Sequence, residues 1–421
     1  MITTRIWRQL ENIDWDFSEH LLGTSKAIHW YPGTFPSEVP GTLIQALSAQ
    51  DDLIFDPYGG IGTTALESLR QGRRAWLVEG NPVGCIISYV SAGLLLLKSV
   101  DSSLPAILVA SLRSIIESNK NENLTVQLRM KEDNVGKDID NILVKLIQPT
   151  PKQLYNAFSC EPNWESLGKW VEPQTLSNLR KLHYSIKTTS LGNFGKLAGL
   201  VMISAILRPA SSQTQSWGHI ADNVLPKSFE SKDIYKLCNN WLSRTQNIIV
   251  NTQVTSSPGN EKRFWLSLHS WQKRKLPKIK PSIEVNVLLT SPPYAGAIDY
   301  TLAQRLSLYL LGHSEDNVKT LCSMEIGARR KRFLPASQAN WVSDMVHALS
   351  QQVTYLSSNA SLAFVLPHKD AGREAGPAGI EAYLMSIECS KLMEVERSIR
   401  QGRARQSWTS IKKEIIQIYG F

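Results

Sequence analysis

Short apolar runs that stop at an acidic or polar position recur in two parts of the chain. Leu53-Ile54-Phe55 ends at Asp56-Pro57 and a glycine-rich turn, and Ala75-Trp76-Leu77-Val78 ends at Glu79. Unbroken runs of this length mark strands buried on both faces of a parallel sheet. Between them, Thr64 to Leu69 has helical spacing and ends before Gly72. The strand pattern returns at Val285 to Leu289, which leads into Thr290-Ser291-Pro292-Pro293-Tyr294. It returns again at Leu362 to Leu366 and at Ile415 to Tyr419, and Phe264 to Leu268 is a further candidate. From about residue 101 to 262 the chain is more polar and helically spaced. There, Leu197, Leu200, Val201 and Ser204-Ala205 share a helix that should stop at Pro209. Cys85 to Leu97 is too short an apolar stretch to span a bilayer and contains Ser88, Ser91 and Gly93, so it reads as a buried helix.

Strands alternating with helices predict an α/β fold: a doubly wound, mostly parallel, Rossmann-like sheet. Residues 1–100 and 263–421 supply its two parts. Residues 101–262 form a largely helical insertion or second domain, a candidate target-recognition region.

Composition narrows the partners. The 421 residues are 42% hydrophobic and 20% charged, the balance of a globular protein, and the net charge of +9 favours a polyanionic partner such as nucleic acid. Five scattered cysteines and the isolated His219, His269 and His368 have no zinc-ligand spacing, so no metal is expected. The N-terminal residues lack the apolar core of a signal peptide, which predicts a cytoplasmic protein with no membrane partner.

Two segments carry chemistry. In Asp56-Pro57-Tyr58-Gly59-Gly60-Ile61-Gly62-Thr63-Thr64, Gly60 and Gly62 let the backbone turn sharply between strand and helix and approach a ligand. Glu79, at the end of the next strand, can accept hydrogen bonds from both ribose hydroxyls of an adenosine ligand, with Asn81-Pro82 along the adenine. A glycine turn with a downstream acid suits a nicotinamide dinucleotide as well as S-adenosylmethionine. The carboxylate of Asp56 tilts the choice, because it repels a pyrophosphate and attracts the ammonium of a methionine moiety. In the second segment, Pro292 and Pro293 fix φ and remove two donors, leaving carbonyls with fewer local partners. Such a turn can present a hydroxyl and a carbonyl to one exocyclic NH2, with Tyr294 available to stack on an extruded base.

On these residues the chain resembles the DNA amino-methyltransferases, which make N4-methylcytosine or N6-methyladenine. DPYGGIGTT resembles their cofactor motif, VEGNP their ribose-binding segment, and TSPPY their catalytic motif. His29-Trp30-Tyr31-Pro32-Gly33-Thr34-Phe35-Pro36 resembles the HxYPxxF segment that packs over the methionine part. Weaker likenesses cover Ala297 to Tyr300 with Arg305-Leu306, and Ser410 to Glu414. The resemblance implies that Tyr31, Phe35, Asp56, Pro57, Gly60, Gly62, Thr63, Thr64, Glu79, Asn81, Pro82 and Thr290 hold S-adenosylmethionine. It implies that Ser291, Pro292, Pro293 and Tyr294 form the catalytic set. The acid that often ends the third strand of the family is missing, and His269-Ser270 stand there instead.

The amine of cytosine or adenine is a poor nucleophile because its lone pair is delocalised into the ring. Hydrogen bonds from the NH2 to Ser291 and to the Pro292 carbonyl would localise that lone pair, and the rest is positioning. Serine before Pro-Pro-Tyr resembles the cytosine-N4 branch; adenine-N6 is the alternative. An RNA or protein methyltransferase and a non-catalytic subunit on the same scaffold are the other readings. Double-stranded DNA is the expected partner and a cognate restriction endonuclease a further candidate. Arg329, Arg330, Arg332, Arg403 and Arg405 are candidate phosphate contacts, from basic runs near the family segments. Trp271 and Trp408 sit in or beside such runs, and residues 211–223 are a candidate base-reading loop.

Overall fold

The computed structural model describes residues 4–17, 27–120, 129–213, 220–255, 259–273, 277–368, 375–399 and 413–421. Its strands are β1 (Leu53–Asp56), β2 (Arg74–Glu79), β3 (Ile147–Gln148), β4 (Phe264–Leu268), β5 (Val285–Thr290), β6 (Leu356–Pro367), β7 (Ser390–Ser398) and β8 (Lys413–Gly420). They form one sheet in the order β3-β4-β2-β1-β5-β6-β8-β7. The pairs from β3 to β6 are parallel, and β8 runs antiparallel to both β6 and β7.

Alternation along the strands explains the two helical layers. Leu53, Phe55, Trp76 and Val78 point to one face, where they meet the helices Ser337–Gln352 and Ala375–Ser386. Ile54 points to the other face, against the helix Glu38–Leu47. Ala75 and Leu77 share that second side with the helix Pro82–Val100. Successive strand residues face opposite ways, so four or five apolar residues in a row need cover on both sides.

The apolar stretch at Cys85 becomes a 19-residue helix, long and apolar enough by length and composition to cross a membrane. Every residue from Pro82 to Leu97 is buried within the protein, which makes it a core helix. It joins the sheet to helices between residues 101 and 262, including Ser103–Lys120, Pro173–Thr188, Gly192–Ala210 and Ile234–Asn251, in one continuous apolar cluster. Gly93 is a close approach in this junction: a Cβ there would lie 2.3 Å from Cε2 of Phe194. Phe194 is fully buried. Phe194→Ala should cost about 3–5 kcal/mol, read as a lower urea midpoint with an unchanged slope. A loss under about 1 kcal/mol would mean that the junction collapses into the space.

Three details differ from the sequence expectations. The helix predicted to stop at Pro209 carries that proline in its last turn and ends at Ala210. The region read as helical contributes β3, a two-residue edge strand. β7 was not foreseen: its sequence SKLMEVERS is polar, and only Met393 and Arg397 are buried at this sheet edge.

Candidate active site

The carboxyl ends of β1, β2, β4 and β5 meet along one edge of the sheet. β1 lies between β2 and β5, where the strand order reverses, the usual location of a ligand crevice in such sheets. An open cleft lies there. Its wall includes Tyr31, Phe35, Asp56, Pro57, Gly60, Thr63, Glu79 and Asn81 from the first part of the chain, and Ser291 and Pro293 from the catalytic motif.

The glycine turn has the predicted geometry. Gly60 and Gly62 have φ of 53° and 86°, and Gly62 caps the helix Thr63–Arg70. A Cβ on Gly62 would come within 2.9 Å of the Ser88 Cβ. Thr64 is buried behind the turn rather than on the cleft wall. Trp271 donates from Nε1 to the Pro57 carbonyl at 2.7 Å and is buried. That tryptophan, within a basic run in the sequence, therefore braces the turn.

Asp56 ties the cofactor turn to the catalytic motif. Its Oδ1 accepts from the Tyr58 N–H at 3.1 Å and from the Thr290 hydroxyl at 2.7 Å. Burial pushes its pKa up while those donors pull it back. In the same cleft, the two oxygens of Glu79 accept from Gly60 N and Asn81 N, each at 2.7 Å. Asn81 also caps the helix Pro82–Val100 by accepting from Val83 N at 2.9 Å. Pro82 is the first residue of that helix and is buried.

β4 does take the third position, and its last residue pairs with Glu79. His269 and Ser270 follow it and line the cleft where an acid was expected. Burial lowers the His269 pKa to about 4, so its imidazole is neutral. The cleft also contains Tyr300, which stacks on Tyr31 with centroids 6.1 Å apart, and Glu325, whose Oε1 accepts from Tyr300 N at 2.6 Å. No strand pattern pointed to Glu325; it follows the helix Glu315–Ser323 in an irregular segment.

These features test whether S-adenosylmethionine fits. Among the described residues, Asn81 Nδ2 and His269 Nε2 are buried on this wall without a hydrogen-bond partner. A buried polar atom without a partner costs free energy unless a ligand or water supplies one. An adenine ring offers nitrogen acceptors and an amino donor to such groups. Glu79 suits the ribose hydroxyls and Asp56 an ammonium. The residues fit the molecule.

In the catalytic motif, Ser291 faces the cleft and Pro292 is buried. Trp341 Nε1 donates to the Pro293 carbonyl at 2.8 Å and fixes the turn from behind. Tyr294 was expected to present its ring to a base. Its hydroxyl is held by the Val365 carbonyl and Glu414 beside Ser291 Oγ, and Tyr300 is a further aromatic on the cleft wall.

The basic candidates separate. Arg330 points inward, to Asp299 at 2.8 Å, to Glu325 at 3.4 Å and to the Cys322 carbonyl, which corrects its assignment to phosphate. Such a partly buried network occupies its guanidinium. Arg329 lies 4.0 Å from Asp222. Arg332 packs beside Gly296 and over the exposed ring of Phe333, 4.4 Å from its centroid. Arg403, Arg405, Trp408, His219 and residues 214–218 of the suggested base-reading loop lie outside the described residues. Among the described residues, no group of three or more His, Cys, Asp or Glu could hold a metal.

A glycine turn, the acid that ends β2 and a Ser-Pro-Pro-Tyr turn share one crevice of an α/β sheet, an arrangement that suits an S-adenosylmethionine-dependent methyltransferase. Residues 3–89 match the family model for N6/N4 DNA methylases. The chain is 20% identical to the type II methyltransferase M.MjaII of Methanocaldococcus jannaschii, covering 85% of this chain and 76% of that protein. A structural comparison also aligns an rRNA methyltransferase, aviRa of Streptomyces viridochromogenes, at 9% identity and a TM-score of 0.31, over 94% of this chain and 91% of that one. Motifs, the match over residues 3–89 and the distant relative together support a likeness to the DNA amino-methyltransferases.

Proposed function

We propose that the protein methylates the exocyclic N4 amine of cytosine in DNA. The supporting observation is the common cleft that holds Ser291 beside the Asp56–Thr290 bond and, further along, Glu79. S-adenosylmethionine, when bound, supplies an electrophilic methyl group on a sulfonium. Glu79, Asn81 and His269 would hold its adenosine end, and Asp56, with Tyr31 and Phe35, its methionine end.

The protein's own contribution is to orient the amine. Ser291 and the Pro292 carbonyl accept hydrogen bonds from the NH2, drawing the nitrogen toward sp3 and localising its lone pair. The nitrogen becomes strongly acidic once methylated and then releases its proton, so the site needs no strong base. Serine supports cytosine over adenine, because the motif places no carboxylate against the amine.

Target recognition is assigned in this proposal to the insertion, residues 101–262, and phosphate contact to Arg329 and Arg332, together with Arg403 and Arg405. The test is incubation with S-adenosylmethionine and unmethylated genomic DNA, followed by nucleoside mass spectrometry. N4-methylcytosine is expected. N6-methyladenine overturns the base assignment, and neither product, with cofactor bound, overturns DNA as the substrate.

A further inference from the structure

A serine at the amine-binding position poses a problem that asparagine or aspartate does not. A carboxylate or amide oxygen can only accept a hydrogen bond, whereas a hydroxyl can accept or donate. A Ser291 proton aimed into the cleft would engage the nitrogen lone pair that must attack. Something has to hold that proton elsewhere.

The structure contains a hydrogen-bonded chain that does so. Ser291 Oγ lies 3.1 Å from the Tyr294 hydroxyl, which lies 2.9 Å from Glu414 Oε1 on β8. Arg397 Nη1 on β7 donates to Glu414 Oε2 at 2.7 Å, and its Nε donates to the Trp15 carbonyl at 3.2 Å. The Arg397 and Glu414 side chains are only 3% and 9% exposed. A buried guanidinium keeps its charge, and its partner is then the carboxylate, which only accepts. The Val365 carbonyl, 3.1 Å from the Tyr294 hydroxyl, also only accepts. Tyr294 has one proton, so it gives it to Glu414 or to that carbonyl and keeps its lone pairs for Ser291.

We infer that the Arg397–Glu414 pair, acting through Tyr294, sets the polarity of Ser291: its proton points inward and its lone pairs face the amine. Glu414 and Tyr294 are thereby positioning residues, reaching the reacting nitrogen only through Ser291. The inference rests on the amine-methylating reading proposed above.

The test is a double-mutant comparison of steady-state methylation of genomic DNA. In the natural background, Tyr294→Phe should lower kcat about 10- to 100-fold, the effect of losing a hydrogen bond in a charged network. The S-adenosylmethionine Kd and the DNA KM should stay within about 2-fold. In a Ser291→Asn background, whose amide oxygen needs no relay, the same substitution should change kcat by less than about 2-fold. Glu414→Gln should follow the same pattern; Tyr294→Phe leaves the ion pair whole and carries the test if Glu414→Gln does not fold. Equal losses in both backgrounds, no loss in the natural one, or a Ser291→Asn background without turnover each overturn the relay. A natural protein that binds cofactor but methylates no base overturns the functional reading itself, and the relay with it.

Discussion

Ser291→Ala should lower methyl transfer to DNA about 100- to 1000-fold, the usual cost of deleting one preorganised polar group at the reacting centre. Cofactor affinity should change less than about 2-fold, since nothing that braces the cofactor turn depends on this hydroxyl. Asp56 keeps its bond to Thr290, and Glu79 keeps Gly60 and Asn81. Tyr294 stays anchored by Val365 and Glu414, so the motif keeps its shape. The Pro292 carbonyl remains as a second acceptor and should leave residual turnover. The measurement pairs methylated-base yield over time with calorimetric titration of S-adenosylmethionine. Full activity in the variant would refute the role of Ser291, and loss of cofactor binding would show a damaged scaffold instead.

The second large effect concerns binding. Glu79→Ala should weaken S-adenosylmethionine about 10- to 100-fold, the worth of hydrogen bonds to a charged acceptor. It also strips Gly60 N and Asn81 N of their partner. Burial pushes the Glu79 pKa up to about 7, against the pull of the Asn81 and Gly60 donors and with a contribution from Asp56. The sign follows directly. Above pH 7 the carboxylate is ionised and, in the proposed role, would accept from both ribose hydroxyls; below pH 7 a proton occupies one oxygen. The Kd should rise toward 10-fold per pH unit as pH falls below 7. Burial also raises Glu325, on the same wall, to about 7. Titrations at pH 6 and pH 8 on Glu79→Gln separate the two acids: a pH dependence that survives the substitution belongs to Glu325, not Glu79.

Much of this arrangement was legible because its signals are local. A strand buried on both faces writes itself as an apolar run, and the turns after β1 and β5 need glycine or proline, which are easily read. Phe264 to Leu268 was readable for the same reason, and its place beside β2 follows from the sheet order. The fold class could therefore be stated before the structure. The missed features are those set by tertiary contact. β7 buries too few apolar residues for its pattern to rise above a loop. Arg330 sits in a run of four cations, and only the fold shows that Asp299 and Glu325 are beneath it. Trp271 lies among lysines in sequence and under Pro57 in space. Glu414 was visible only as part of a loosely matching segment, 120 residues from the tyrosine it meets.

The position of β1 has a consequence for synthesis of the chain. β1 and β2 are separated by one short helix and can pair early, whereas the other neighbour of β1 is β5, beginning at Val285. Until β5 is made, one edge of β1 offers unpaired main-chain groups between apolar side chains, the template on which nascent chains stick to one another. Long-range pairing of this kind is slow and leaves intermediates prone to aggregate. Fragments ending before residue 285 should therefore collect in inclusion bodies even though they contain the whole glycine turn, and ribosomes that stall between residues 101 and 262 would release a sticky product.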